Sequence, residues 1–266
     1  MPRLSVISGA YNLAHTAQFK KSIESVLTQS FSDFEFIICD DGSTDRTFEI
    51  LKEYAKKDSR IKLLKNEKNL TLAPTLNRCI KESEGEYIAR HDLDDLSERE
   101  RFEKQLCYLD SHPKTAILGT AAYLFDERGV FGREHPPKKV EKKDFLFNNP
   151  YKHGSVILRR TALARAGGYC EAKWATRNED YELFMKIHGF ADGANLEDAL
   201  YGFCEDRLAK RRRKYRYRIN EAIVRARGFR LLGLMPRALP YVIKPLIVGL
   251  IPSPLLSKLQ NKRRKQ

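Results

Sequence analysis

The 266-residue chain has few cysteines and none in pairs: Cys39, Cys79, Cys107, Cys170 and Cys204 are widely spaced, odd in number, and form no CxxC. That excludes a disulfide framework and a zinc ribbon, and reduced cysteines suit a cytosolic protein. A long uninterrupted apolar run is missing too. Leu231–Leu256 is apolar, but Pro236, Pro240, Pro245, Pro252, Pro254, Arg237 and Lys244 break it, and its longest uncharged run, Pro245–Ser257, is 13 residues. A spanning helix needs roughly 20, so this stretch does not cross a bilayer alone. The opening Met1-Pro2-Arg3 runs straight into a strand-like segment, which leaves no room for a signal peptide. GxxxxGK[ST], GxGxxG and GxSxG are absent, so P-loop, dinucleotide and hydrolase-triad enzymes lack their fingerprints.

Acidic residues are scarce in one place only. From Arg207 to Gln266 there are 18 basic residues and one acidic residue, Glu221, a net of +17. The first 206 residues hold 31 basic and 34 acidic residues, so the formal +14 of the chain belongs to its C-terminal segment. The division expected is a catalytic domain over 1–206, with halves at about 1–110 and 111–206, and a basic, amphipathic extension over 207–266. Its clusters Arg211-Arg212-Arg213-Lys214 and Lys262-Arg263-Arg264-Lys265 flank broken apolar segments. Such a pattern suits lying in the interface of an anionic membrane, on its cytoplasmic face.

In the first half, apolar runs alternate with helical spacing. Strands are expected at 4–8, 34–39, 61–64 and 86–90, and helices at 17–29, 45–57 and 72–82. Strand and helix in repeated alternation mean a parallel sheet covered on both faces, an α/β fold. After Leu109 the pattern fades. A helix is expected near Ser97, strands at 116–120 and 155–158, a hairpin around Glu127-Arg128-Gly129, and a short helix at 181–188.

Three polar clusters fall at the carboxyl ends of the expected strands, where α/β sheets bind ligands. Tyr11-Asn12 follows the first strand, and Tyr11 is placed to stack on a base. Asp40-Asp41-Gly42-Ser43-Thr44-Asp45 follows the second. Ser43 or Thr44 would cap the next helix, and a carboxylate there could accept from a nucleobase N–H or ribose hydroxyls. Asp92-Leu93-Asp94-Asp95 follows the fourth, offering hard oxygen ligands for Mg²⁺ or Mn²⁺; an Asp-rich turn before a helix is the plainer alternative. Glu179-Asp180 opens a helix; it is either dipole-favoured acidity or a general base beside an acceptor hydroxyl. His153, after Asn148-Asn149-Pro150-Tyr151-Lys152, is a weaker candidate for that base, since a lone His is more often structural.

In order and spacing, Ser5-Val6-Ile7 through Tyr11-Asn12, Asp40 to Asp45, Asp92 to Asp95 and Glu179-Asp180 resemble the family 2 glycosyltransferases, over about residues 3–190. Arg90-His91-Asp92-Leu93-Asp94-Asp95-Leu96-Ser97 is similar to the bacterial branch that builds exopolysaccharide and lipopolysaccharide. The resemblance implies a glycosyltransferase A-type fold, a nucleoside-diphosphate sugar donor, inversion at the anomeric carbon, and a glycan or lipid-linked acceptor. It implies that Tyr11, Asn12, Asp40, Asp41, Asn77, Arg90 and Asp92 bind the donor. Asp92, Asp94 and Asp95 would hold the metal, Asp180 would be the base, and Glu179 would bind or position the acceptor. By analogy the donor is a UDP-sugar. Two other readings stand beside it. One is a nucleic-acid-binding protein gripping phosphates with Arg211–Arg218 and the interleaved Tyr215 and Tyr217; it leaves the acidic clusters unexplained. The other is a nucleotidyltransferase on a similar fold, which leaves Glu179-Asp180 without a role.

Overall fold

The computed structural model describes residues 1–205 and 215–250. The clusters at Arg211–Lys214 and Lys262–Lys265 therefore lie outside the described residues. Four parallel strands, β1 (Leu4–Ala10), β2 (Phe34–Asp40), β3 (Ile61–Lys65) and β4 (Tyr87–Arg90), alternate with α1 (Gln18–Leu27), α2 (Thr47–Lys57) and α3 (Leu72–Lys81). β5 (Leu96–Ser97), α4 (Arg101–Ser111), β6 (Thr115–Asp126), β7 (Gly129–Glu134), β8 (Lys139–Val140), β9 (Ile157–Arg159), α5 (Arg160–Ala166), α6 (Glu179–His188) and β10 (Asp192–Cys204) follow. Then come α7 (Arg216–Leu231) and α8 (Leu239–Leu250).

The ten strands make one sheet in the order β3-β2-β1-β4-β9-β6-β10-β5, with β7 on β6 and β8 on β10. The chain leaves β1 to one side for β2 and β3 and returns to its other side for β4. That reversal opens a crevice at the carboxyl ends of β1, β2 and β4.

The sheet is buried on both faces, so its strands read as unbroken apolar runs rather than as alternations. Alternate residues nevertheless serve opposite cores. Leu4, Val6, Phe36 and Ile38 join Phe19, Ile23 and Val26 of α1 and Leu51 of α2 on one face. Ile7, Ile37 and Cys39 face α3 and α6 on the other, with Leu76, Leu183 and Phe184.

Three expectations are corrected. No helix begins near Ser97: Leu96 and Ser97 pair antiparallel with Gly202 and Tyr201, and the Ser97 N–H donates to Ser25 Oγ (3.1 Å). The helix starts at Arg101. Neither Ser43 nor Thr44 caps α2. The N-cap is Arg46, with no side-chain cap bond; Asp45, just before it, accepts the Thr47 N–H on Oδ1 (2.9 Å), while Ser43 and Thr44 are bound to Asn12. The strand expected at 116–120 runs on to Asp126 beside the unanticipated β10. In β10 the exposed pair Glu197-Asp198 forms an irregularity between Leu196 and Ala199, which interrupts the alternation a strand would otherwise display.

The basic C-terminal segment is not detached from the body. Val224 and Phe229 of α7, and Leu232 just after it, are buried in the same core as Leu183 and Phe184 of α6. Gly228 lets the helices meet, since a Cβ there would lie 2.2 Å from Met185 Sδ. Arg225 is buried; it donates to the carbonyls of Leu146 (2.9 Å) and Phe147 (3.3 Å) and is held by Glu221 (3.1 Å). Among the described residues no helix is long and apolar enough to cross a membrane.

Candidate active site

The loop after β1 is tied to the loop after β2. Asn12, in a left-handed conformation (φ 53°), donates its N–H to Ser43 Oγ (3.0 Å) and accepts the Thr44 N–H on Oδ1 (2.9 Å). Its amide oxygen shapes this loop pair rather than facing open space. Tyr11 stands beside it, about half exposed. Asp41 is buried and already fully engaged. Oδ1 accepts from Asn66 Nδ2 (2.8 Å) and the Leu70 N–H (2.8 Å), and Oδ2 accepts from the Thr71 N–H (3.0 Å). Asp40 accepts the Ser43 N–H on Oδ2 (3.1 Å), but its buried Oδ1 has no partner. Of the two carboxylates, Asp40 is the one with an unpartnered oxygen, and that oxygen is wholly buried.

Beyond β4 the side chains alternate. His91, Leu93 and Asp95 point inward and are buried, whereas Asp92 is half-buried and Asp94 exposed. The i, i+2 spacing therefore brings two carboxylates out on one side. Arg90 is wholly buried beneath them, with Nη2 2.5 Å from Asp92 Oδ1 and Nη1 on the His91 carbonyl. It is placed to steady Asp92. Burial alone would raise the Asp92 carboxyl, but Arg90 and then His153 outweigh it and hold it below its ordinary value.

Asp95, expected beside Asp92 and Asp94 in the metal set, is buried and engaged by β10. Its Oδ2 accepts from the Tyr201 hydroxyl (2.7 Å) and its Oδ1 from the Cys204 N–H (2.8 Å), so both oxygens are used by β10. Burial and the neighbouring Asp92 and Asp94 push its pKa well up. Tyr201 also accepts the Asp92 N–H (3.2 Å), so β10 fixes the acidic loop from below.

The second half brings a base candidate to the same place. Asp92, His153 and Asp180 line one cleft of about 480 Å³ with Asn149, Lys152 and Glu134. Asp180 is the second residue of α6, where the helix dipole favours a carboxylate, and Asn149 Nδ2 donates to its Oδ2 (2.8 Å). Glu179, the first residue, is buried with Oε2 unpartnered; burial, then Asp180, push its pKa up to about 7. His153 shares a hydrogen bond with the Tyr169 hydroxyl (2.8 Å). Burial and then Arg90 lower its pKa to about 4, so it is a neutral ring at pH 7.

Asn77 does not reach the cleft as a free donor-binding group. Its Nδ2 donates to the Tyr169 carbonyl (2.8 Å) and to Glu171 Oε1 (2.7 Å), and its Oδ1 accepts the Tyr169 N–H (2.9 Å). It clamps Tyr169, and Tyr169 in turn sets the His153 ring.

No group of three His, Cys, Asp or Glu side chains among the described residues converges as an all-protein metal cage would. Mg²⁺ and Mn²⁺ in phosphate chemistry need less: one or two carboxylates, with substrate phosphates and water completing the shell. Asp92 and Asp94, side by side at the strand end, fit that smaller requirement.

The model for "Glycosyl transferase family 2" matches residues 5–168, more than half of the chain. The chain belongs to this family. It is 40% identical to a Bacillus subtilis protein named glycosyltransferase EpsE over 265 residues, 98% of this chain and 94% of that one. It is 33% identical over 185 residues, 69% of each chain, to an Escherichia coli protein, WfgD, named as a UDP-Glc:alpha-D-GlcNAc-diphosphoundecaprenol beta-1,3-glucosyltransferase. Its fold is similar to that of S. aureus TarS 1–349, crystallised with UDP-GlcNAc. The TM-score there is 0.71 at 20% identity, covering 93% of this chain and 79% of that one. This glycosyltransferase thus has the glycosyltransferase A architecture expected from its motifs.

Sequence reasoning missed Asn149, Tyr169 and Tyr201 as supporting groups. Asn149 stands in the Asn148-Asn149-Pro150 stretch that precedes His153, so a local signal existed. For Tyr201 there was none: it acts across 106 residues of chain, from a strand that was not recognised.

Proposed function

We propose that this glycosyltransferase moves a sugar, with inversion, from a nucleoside-diphosphate sugar to a hydroxyl of a lipid-linked glycan in cell-surface polysaccharide synthesis. The observation that carries the reading is the shared cleft of Asp92 and Asp180, with a carboxylate of the strand-end pair facing a second carboxylate across open space. A UDP-sugar is the favoured donor, given the UDP-Glc named for WfgD and the UDP-GlcNAc bound to TarS.

In this reading Tyr11 stacks on the base, beside the Asp40-Asp41 strand end. Asp180, oriented by Asn149, removes the proton from the acceptor hydroxyl as that oxygen attacks the anomeric carbon from the face opposite the leaving diphosphate. Charge develops on the sugar as on an oxocarbenium ion. Asp94, with Asp92 beside it, would hold Mg²⁺ or Mn²⁺, and the cation when bound neutralises charge on the departing diphosphate. Arg90 keeps the Asp92 carboxylate ionised and in place. His153, neutral at pH 7, is a hydrogen-bonding group on the acceptor side rather than a charge. The protein works on the cytoplasmic face of the membrane, peripherally, through residues 207–266.

The test is Asp180→Asn, assayed with a panel of UDP-, GDP- and dTDP-sugars and Mn²⁺. Slow donor hydrolysis and transfer should vanish while thermal stabilisation by the preferred donor persists. Turnover like that of the unmodified protein would remove Asp180 from the mechanism.

A further inference from the structure

α8 carries its apolar residues on the wrong side for a core. Its inner face, Tyr241, Val242 and Pro245, packs on the body, yet Leu239, Ile243, Ile247 and Leu250 are all exposed. Their spacing of four, four and three residues puts them in one stripe along the helix. The surrounding charge is of one sign. Arg237 and Lys244 flank the stripe, and Arg227 and Arg230 lie on the neighbouring α7. Arg230, Arg237 and Lys244 make no salt bridge among the described residues, whereas Arg227 stacks on Trp174 and lies near Glu182. The only acid on α7 or α8, Glu221, is taken up by Arg218 and Arg225. The sequence continues past Leu250 with more apolar residues and then Lys262-Arg263-Arg264-Lys265.

α8 also packs beside the site. Tyr241, on its inner face, meets Phe147 edge to face, with ring centroids 5.5 Å apart. Phe147 is 55% exposed and lines a space adjoining the cleft, with which that space shares Glu134, Asn149 and Lys152. Arg225 fastens α7 to the Leu146 and Phe147 carbonyls, so the two helices and this segment are one unit.

We propose that the α8 stripe, Leu239, Ile243, Ile247 and Leu250, together with Phe147, is the surface by which this protein lies in the interface of an anionic bilayer. Apolar residues enter the boundary between headgroups and acyl chains, and the flanking cations meet anionic headgroups. A soluble acidic partner would match the cations but leave the stripe in water; a bilayer satisfies both. Docked this way, the acceptor side of the cleft opens at the level of the headgroups, where the reactive end of a lipid-linked glycan is found. The inference rests on the lipid-linked acceptor proposed above and names the surface that would deliver it.

The experiment is co-sedimentation of the full chain with phosphatidylglycerol/phosphatidylethanolamine vesicles and with phosphatidylcholine vesicles. Donor hydrolysis is measured on the same preparations. The unmodified protein should bind the anionic vesicles, and Ile243→Glu/Ile247→Glu should weaken that binding about tenfold or more, with unchanged melting temperature and donor hydrolysis. Arg237→Ala/Lys244→Ala should weaken binding to anionic vesicles while leaving the binding to phosphatidylcholine as it was. Vesicle binding by the Ile243/Ile247 variant equal to that of the unmodified protein overturns the proposal. So does a sedimentation-velocity dimer that the variant converts to monomer without vesicle binding in either, which would make the stripe a contact between copies. Hydrolysis without any vesicle binding sinks the docking surface alone; absence of donor hydrolysis with every sugar nucleotide sinks the catalytic reading instead.

Discussion

Glu179 is the group whose environment gives the largest calculable consequence. It is 7% exposed, one of its oxygens has no partner, and burial, then Asp180, raise its pKa from 4.5 to about 7. The folded protein therefore holds this proton more tightly than the unfolded chain does. Below about pH 4.5 both states are protonated and the group costs nothing. Between about 4.5 and 7 the unfolded chain releases the proton while the folded protein keeps it, so stability falls as pH rises. Above about 7 the full cost is present. At about 1.36 kcal/mol per pH unit the displacement amounts to about 3 kcal/mol.

Glu179→Gln keeps the shape and removes the titration. At pH 8 the variant should be more stable than the unmodified protein by about 3 kcal/mol, a melting difference of roughly 6–12 °C for a chain of this size. The gap should close progressively down to about pH 5. Urea unfolding of both proteins at pH 5, 6, 7 and 8 measures it. Because Asp180 supplies part of the shift, the gap should be smaller in an Asp180→Asn background. A gap independent of pH, or a variant less stable at pH 8, would refute the argument that this carboxyl is forced to ionise in a buried site. Under the proposed mechanism, that cost is tolerated where two acids stand side by side at the acceptor.

Other substitutions test the supporting geometry. Tyr201→Phe removes the hydroxyl between Asp95 and the Asp92 N–H; it should cost about 1–3 kcal/mol in denaturant unfolding and weaken Mn²⁺-dependent donor stabilisation. Asn149→Ala frees Asp180 from its 2.8 Å partner and should lower kcat about 10–100-fold with little change in donor KM, an effect of about 1.4–3 kcal/mol on the barrier. Gly228→Val drives a side chain into Met185; it should destabilise by about 1–3 kcal/mol and open the α7–α8 segment to limited proteolysis. Asp94→Ala or EDTA should abolish donor stabilisation, and donor binding indifferent to both would remove the metal from the site.

The first half of the fold was legible because its information is local. Each of β1 to β4 is a short apolar run ended by a polar cluster, and α1 to α3 repeat apolar residues at helical spacing, so the sheet follows from pattern alone. The strand-end position of Asp40 and Asp92 was legible for the same reason. What was not legible depends on distant partners. β10 hides behind the Glu197-Asp198 irregularity, and only its pairing with β6 makes it a strand. Asp41 and Asp40 look equivalent in sequence, and they differ only because the 66–71 loop folds back onto Asp41. Asn77 and Arg90 carry side chains that suit a ligand, but Tyr169 and Asp92 claim them first. A motif fixes which residues arrive at an edge; the hydrogen-bond partners decide which of their atoms remain free.

The basic segment shows how far composition can mislead about boundaries. Its charge changes abruptly near residue 207, which invites cutting there to ask what the tail does. Yet Val224 and Phe229 are wholly buried in the core that holds α6, and α6 carries Glu179 and Asp180. Removing α7 would uncover that face of α6 and leave the Leu146 and Phe147 carbonyls without Arg225, only two residues of chain from Asn149. Exposing one fully buried Phe and one Val costs about 3–6 kcal/mol by area alone, a large share of a domain's stability. A truncated protein that failed to bind vesicles would thus report unfolding as readily as a lost membrane contact. Substitutions confined to the outer stripe of α8 do not carry that ambiguity, because Ile243 and Ile247 already face water. Charge marks the segment proposed to meet a membrane, burial marks the part of it that belongs to the enzyme, and in this chain the two overlap from α7 onward.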